Sequence, residues 1–211
     1  METDGSIDAR ARMAPRSLLP RATQRERLLD GMARTVAHRG YVATPVAEVL
    51  RAAGVSRRTF YEQFADKEDC FIAAYDAIAQ LCTGRVVAAY HAGEGWEDGI
   101  AHAYDALLTT LAAEPDFAHL GVVDVLGAGP RALERREAAL RRFARFVDHT
   151  REHAEMAVSP PRLVGQAIVG GIHELIYSQL LRDRAAALPE LRGELLHYTF
   201  MLLGVPVRVV E

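Results

Sequence analysis

The residues best suited to chemistry lie in one short run, Arg57-Arg58-Thr59-Phe60-Tyr61. Ser56 precedes the run, and serine is favoured at helix N-caps, so the polar residues fall in the first turn of a predicted helix. An arginine there can donate two parallel hydrogen bonds to a guanine, and a helix N-terminus favours phosphate. An arginine pair in a first turn can also be ordinary solvated surface, and Tyr61 can be a half-buried aromatic side chain. The elements around the run decide between these interpretations.

Two short helices and a tight turn are predicted to position these side chains. The first opens at Thr44-Pro45, with Thr44 as its N-cap, and ends at Gly54. The second runs from Arg57 to Phe64, and the turn between them uses the backbone freedom of Gly54. If the apolar side chains of the second helix pack on the first, its polar residues face outward. The pattern predicts a helix-turn-helix, followed by a long helix that Asp66 caps.

The segment also resembles a known family. Residues 40–71 follow the pattern G-Y-x-A-T-x-V…A-A-G-V-S-x-x-T-F-Y-x-x-F-x-x-K-E-x-x-F. Over residues 22–75 the chain resembles the DNA-binding domain of TetR/AcrR-type transcriptional regulators. The resemblance implies a homodimer that binds a pseudo-palindromic operator in double-stranded DNA and is released by a small-molecule effector. The implied base contacts are Arg57, Arg58 and Thr59, and the implied phosphate contacts are Thr44, Tyr61, Gln63 and Lys67.

Two residues depart from the family pattern. Leu50 stands where a small residue is usual between the two helices, which predicts a slightly wider crossing. Gln63 replaces a more usual histidine; it can donate a hydrogen bond to phosphate but adds no positive charge.

Composition and charge narrow the class of protein. Half of the 211 residues are apolar, which excludes global disorder, and two cysteines exclude a disulfide-stapled scaffold. No apolar run is long enough to cross a bilayer, and residues 1–20 lack the apolar core of a signal peptide, so we expect a cytoplasmic protein without a membrane partner. Residues 1–67 carry 12 basic and eight acidic residues, whereas the rest carry 13 and 20. This asymmetry in charge predicts that the N-terminal part binds a polyanion.

The fold class follows from hydrophobic periodicity. A helical period dominates after residue 21 and strand-like alternation is nearly absent, which predicts an all-α protein of about nine helices. The predicted helices of the C-terminal part include 116–126, 161–184 and, as the last, 188–203. We expect a disordered basic tail at residues 1–21, a helix-turn-helix domain at 22–66 and a ligand-binding and dimerisation domain at 67–211. The tail is either a plain leader or an arm that reaches a minor groove.

The C-terminal part is predicted to dimerise and to be hollow. The predicted helix 161–184 has apolar residues on more than one stripe, which favours a four-helix interface between two subunits over a single filled core. The interface residues predicted are Ala167, Gly170, Gly171, Leu175, Leu195 and Leu202. A ligand cavity is predicted between the fourth and eighth helices. Its predicted lining is Trp96, His102, Tyr104, Leu107, Phe117, Asp124, Phe143, His173 and Tyr177.

Three rival interpretations remain. His149 to His153 fits H-x-x-E-H, a metal-peptidase pattern, but the surrounding segment is rich in Arg and Glu and marks no third ligand. A redox switch is the second alternative. Its candidate thiols, Cys70 and Cys82, are about 18 Å apart along one helix, so they cannot form a disulfide within it. We therefore expect no enzyme activity, no metal and no cofactor. A DNA-binding protein without a ligand would share every N-terminal feature.

Overall fold

The computed structural model describes residues 18–152 and 161–205, and every regular element in these ranges is helical. The α-helices are α1 (Gln24–Arg39), α2 (Val46–Ala53), α3 (Arg57–Gln63), α4 (Lys67–His91), α5 (Trp96–Ala113), α6 (Pro115–Val122), α7 (Pro130–Glu152), α8 (Val164–Leu180) and α9 (Arg192–Leu203). Two 3-10 segments lie at Asp124–Gly127 and Ala185–Leu191. The predicted all-α class is confirmed. We refer to α1–α3 as the head and to α5–α9 as the body.

The head is a three-helix domain with well-defined helix ends. Thr23 and Glu26 form a reciprocal capping box at the start of α1. Gly54 ends α2 with a left-handed backbone (φ 64°), the conformation that the tight turn requires. The crossing of α1 and α2 depends on Gly31, where an added Cβ would lie 3.0 Å from the Val49 carbonyl oxygen and 3.1 Å from Ala53 Cβ. Leu50 is half-buried and packs against the core.

One predicted helix start is wrong. The second helix begins at Val46 with Pro45 as its N-cap, and no side chain caps it. Thr44 instead lies before the cap and is fully buried.

Helix α4 connects the head to the body. The Asp66 side chain accepts a hydrogen bond from the Asp69 amide at its first turn, as predicted. Downstream, the helix packs against α1, α5, α6 and α7. Lys67–His91 is long and apolar enough to cross a membrane by length and composition, but 44% of its most apolar stretch is buried within the protein. Packing against the head on one side and the body on the other thus accounts for the apolar residues of α4.

The body departs from the predicted helix boundaries at three places. The predicted helix 116–126 is α6 followed by the 3-10 segment Asp124–Gly127. The helix predicted over 161–184 is shorter, and the last predicted helix begins as the 3-10 segment Ala185–Leu191. Pro189 lies inside that segment and lacks the amide proton that an α-helix would use there.

The segment before α1 is anchored to the body. The amides of Leu18 and Leu19 donate to Glu114 Oε1, the second at 3.2 Å, and Glu114 is 3% exposed. Arg21 forms an ion pair with Asp30 at 2.7 Å. The end of the predicted tail is therefore part of the fold. Residues 1–17 of that tail lie outside the described residues.

Candidate DNA-binding surface and internal cavity

Helix α3 presents its polar residues outward because its apolar side is buried. Phe60 is fully buried and packs against Phe64 with ring centroids 5.7 Å apart. On the opposite side, Tyr61 is 51% exposed and the Arg57 guanidinium lies 5.9 Å from its ring. The surface therefore combines positive charge with hydrogen-bond donors, as a nucleic-acid surface requires.

Local hydrogen bonds hold the polar side chains of α3. The Arg58 Nε donates to Glu62 Oε1 at 2.8 Å, while the side chain remains 89% exposed. This bond leaves both terminal nitrogens of Arg58 for another acceptor. Ser56 accepts from the Thr59 amide at 3.1 Å, and the two hydroxyls share a hydrogen bond of 2.9 Å. Gln63 is exposed at the end of the helix.

Lys67 has structural partners that sequence reasoning missed. Its Nζ donates to the carbonyl oxygens of Tyr41 at 2.9 Å and Thr44 at 3.1 Å. The ammonium also lies 4.1 Å from the centre of the Tyr41 ring, and burial lowers the pKa of Lys67. Two of its three protons thus tie the start of α4 to the loop before α2, which leaves one for a phosphate.

The phosphate contact predicted for Thr44 needs correction. The side chain is fully buried, and its hydroxyl donates to the Gly40 carbonyl oxygen at 2.9 Å. In this conformation the hydroxyl braces the loop between α1 and α2 and has no access to DNA.

A large apolar cavity lies in the body between α4 and α8, the region that the sequence predicts. Its empty volume is about 990 Å³, which includes the mouth that opens to solvent. Five predicted lining residues do line it, and each comes from a predicted helix. They are Tyr104, Leu107, Phe117, Phe143 and His173.

Four predicted lining residues lie elsewhere. Trp96 packs edge-on against Phe200, with ring centroids 5.8 Å apart. The His102 side chain is 43% exposed and pairs with Asp98. Asp124 is bound to His119 at 2.7 Å, and this hydrogen bond is the main cause of the raised pKa of His119. Tyr177 packs against the core, outside the cavity lining.

Sequence reasoning missed the contribution of α4 to the cavity wall. Tyr75, Ile78, Cys82 and Val86 line it, at successive intervals of three or four residues along one helix face. That spacing was visible in the sequence as a second apolar stripe, beside the one that faces the head. Burial raises the pKa of the Cys82 thiol to about 12, so the thiol stays protonated.

The residues predicted for dimerisation divide between the surface and the core. Ala167 and Gly170 are exposed on α8, and Leu175 is 42% exposed. Leu202 is half-buried. Leu195 is fully buried and so has no side-chain surface for a partner, whereas Gly171 is half-buried and a Cβ added there would lie 2.5 Å from the Tyr198 hydroxyl of the same chain.

The metal and thiol alternatives gain no support. No group of three His, Cys, Asp or Glu within residues 18–152 and 161–205 is arranged to hold a metal ion. His153 of the H-x-x-E-H pattern lies outside the described residues. Cys70 and Cys82 are both free and buried.

Comparison with known proteins supports the sequence resemblance. Residues 28–74 match the family model described as bacterial regulatory proteins, tetR family. No curated protein sequence matches the chain. The fold is similar to that of the fatty acid degradation regulator FadR from Bacillus halodurans, at 19% identity and a TM-score of 0.76, covering 87% of this chain and 96% of that one.

Two further solved structures have the same fold. FadR from Bacillus subtilis, solved with stearoyl-CoA, is 18% identical with a TM-score of 0.71, covering 85% of this chain and 98% of that one. A TetR-like regulator from Rhodococcus sp. RHA1 is 16% identical with a TM-score of 0.68, covering 87% and 98%. The likeness extends through the body, which the sequence motif does not reach.

Proposed function

We propose, from the premise that residues 28–74 form a TetR-family DNA-binding domain, that this chain is a ligand-responsive repressor in the cytoplasm. Two copies bind a pseudo-palindromic operator, and a small molecule in the cavity releases them. The chain acts through binding alone and is not an enzyme. The proposal is carried by the outward face of α3, where Arg57, Arg58 and Tyr61 are exposed while Phe60 is buried.

The contacts on DNA divide into two roles. Arg57, Arg58 and Thr59 read base edges in a major groove, because they lie in the first turn of the exposed helix. Tyr61, Gln63 and the remaining proton of Lys67 hold phosphates and set the orientation of the helix. Thr44 supports this surface from within the loop.

Dimerisation would use the exposed apolar stripe of the last two α-helices. Leu163, just before α8, is 61% exposed, and Ala167, Gly170 and Leu181 follow it on one side of the helix. Met201 on α9 is 58% exposed. An apolar stripe of this kind on a pair of adjacent helices matches the half of a four-helix interface. A twofold axis through it would present two α3 helices to successive major grooves, about 34–36 Å apart.

The effector acts through elements that the cavity shares with the head. Phe117 on α6 lines the cavity and also a smaller crevice with Leu19 and Leu29 of the N-terminal segment and α1. A ligand that displaces α6 or α4 therefore moves the head. A preference of about 10⁴-fold for the released arrangement converts a 1:99 equilibrium into 99:1. The Bacillus subtilis relative solved with stearoyl-CoA supports a ligand with a long apolar chain.

Selection of bound sequences from a random pool of duplex DNA tests the proposal. The full chain should enrich one two-fold symmetric sequence and bind it with two subunits per site. Arg57→Ala and Arg58→Ala should each lose about 1–3 kcal/mol of discrimination at specific base pairs. The matched control is Arg85→Ala, which removes an equal charge from an exposed position of α4.

Two results would contradict the proposal. Enrichment of no sequence by the wild type would remove operator recognition. An identical ranking of sites by Arg57→Ala, Arg58→Ala and wild type would show that these side chains do not read bases.

A further inference from the structure

The cavity wall is apolar apart from a few side chains. Among the lining residues that the structure describes, the groups able to hydrogen-bond belong to Tyr75, Cys82, Tyr104 and His173. The Tyr104 hydroxyl is already bonded to the Thr199 hydroxyl, and a protonated thiol is a weak donor. The groups left to orient a ligand are therefore Tyr75 on α4 and His173 on α8.

Arg136 determines which nitrogen of His173 carries a proton. Its terminal nitrogen Nη2 lies 3.4 Å from His173 Nδ1. A guanidinium can only donate, so Nδ1 is the acceptor and the proton of the neutral ring is on Nε2. Burial, aided by the charge of Arg136, lowers the pKa of His173 to about 4, which keeps the ring neutral at pH 7. Within the described residues, Nε2 has no hydrogen-bond partner in the protein.

The Tyr75 hydroxyl is a second donor in the cavity lining. Burial raises its pKa to about 12, so it remains protonated, and no residue in the described ranges accepts its proton. The charge of Arg136 acts on Tyr75 as well as on His173. Tyr75 lies on α4 and His173 on α8, and both line the same cavity.

No charged side chain lines the cavity directly among the residues that the structure describes, since this lining contains no Asp, Glu, Lys or Arg. A buried charge without a partner is strongly disfavoured. Arg136, behind His173, adds positive potential that further opposes a cation and favours the partial negative charge of an oxygen acceptor.

We propose that the cavity binds an uncharged, largely aliphatic molecule whose carbonyl oxygen accepts hydrogen bonds from the Tyr75 hydroxyl and His173 Nε2. A carbonyl oxygen has two lone pairs and so matches two donors. The inference rests on the proposed function only in calling this molecule the effector; the binding itself is a property of the body.

Calorimetry on the full chain without DNA tests the ligand class with three probes of similar length. They are heptyl methyl ketone, nonanoate and nonyltrimethylammonium. The ketone should bind at least about tenfold more tightly than either ion, because each ion would lose hydration without a charged side chain in the lining to contact. Tyr75→Phe and His173→Phe should each weaken ketone binding by about two- to tenfold, the effect of one lost hydrogen bond.

Matched controls separate hydrogen bonding from damage to the cavity. Tyr177→Phe removes the same hydroxyl from a tyrosine of α8 outside the lining and should leave ketone binding unchanged. Propylbenzene has no oxygen acceptor, so all three variants should bind it as the wild type does.

Three outcomes overturn the inference: no binding of the ketone to the wild type, tighter binding of either ion, or unchanged ketone affinity in both Tyr75→Phe and His173→Phe. Operator binding is measured separately. Loss of the proposed DNA function would leave the calorimetric result intact, and failure of the calorimetric result would leave operator recognition intact.

Discussion

The head and the body place their polar groups in opposite ways. The head turns Arg57, Arg58 and Tyr61 toward solvent around a small apolar core. The body and α4 together surround an apolar space and keep two polar side chains, Tyr75 of α4 and His173 of α8, at its wall. The head is thus built to meet a large charged partner at its surface, and the body to enclose a small uncharged one.

The two regions also differ in how their sites are distributed along the chain. The candidate DNA surface comes from residues 57–67, a contiguous segment whose turn and caps are set locally. The cavity wall comes from single residues and pairs spread over residues 75–176 on five helices. A local site depends on short-range backbone geometry, whereas a distributed one depends on every helix crossing in the body.

The largest expected difference between the head and the body is the loss of stability of the body at acidic pH. The pKa of His173 in the folded protein, about 4, is below its ordinary value of 6.5. As pH falls below 6.5, the unfolded chain gains a proton there that the folded body does not, so the free energy of unfolding decreases down to pH 4. The full effect is roughly 3 kcal/mol.

Urea unfolding of wild type and His173→Phe at pH 7.5 and pH 4.5 isolates this effect. Fluorescence of the single tryptophan, Trp96 on α5, follows the body. The stability of the wild type should fall relative to the variant at the lower pH. His119, whose raised pKa acts in the opposite direction, contributes equally to both proteins and cancels. An acid response identical in both would show that His173 titrates normally.

The sequence was sufficient for features that local chemistry determines. Gly54, Ser56 and Asp66 mark helix ends that the structure retains, and the spacing between them defines the helix-turn-helix. Thr44 was misassigned because a threonine before a proline is typical of an N-cap. Its hydroxyl bonds backward to Gly40 instead.

The sequence was insufficient where a residue's role depends on a distant helix. Leu195 and Gly171 have the apolar and small character of interface residues, but within one chain Leu195 is fully buried and Gly171 lies against Tyr198 of α9. In the sequence, nothing distinguishes Arg136 from the other arginines of a charged helix. Its contact with His173 forms only because α7 packs on α8. Periodicity identifies which face of a helix is apolar and says nothing about which neighbour meets it.

A smaller effect is expected from crowding the head at Gly31. Gly31→Val adds methyl groups beyond a Cβ that already lies 3.0 Å from the Val49 carbonyl oxygen. Overpacking of this kind costs about 1–3 kcal/mol, and operator affinity should fall with it. Circular dichroism should show early loss of helix while Trp96 fluorescence changes less.

Gly84→Val is the control, because nothing lies within 4 Å of a Cβ added at that position of α4. It should be neutral or stabilise by a few tenths of a kcal/mol through helix propensity. Equal effects of the two substitutions would show that the close approach of α1 and α2 does not limit the head.

The smallest effect is expected at the link between the regions. Arg131 at the start of α7 donates to Glu68 Oε2 at 3.1 Å and Asp69 Oδ1 at 2.9 Å in the first turn of α4. Its hydrogen bond is the main cause of the lowered pKa of Asp69. Because the three side chains are partly exposed and solvent screens their charges, Arg131→Met should change the total free energy of unfolding very little.

The informative readout is therefore cooperativity rather than total stability. Trp96 fluorescence reports the unfolding of the body, and circular dichroism reports the unfolding of the whole chain. If Arg131 couples α7 to the head, its loss should make the unfolding midpoints measured by these two probes differ. Arg141→Met removes an arginine that pairs with Glu137 within α7 and should leave the midpoints coincident. Coincident midpoints in Arg131→Met as well would place the coupling of head and body in the apolar packing of α4 and α6, and not in this ion pair.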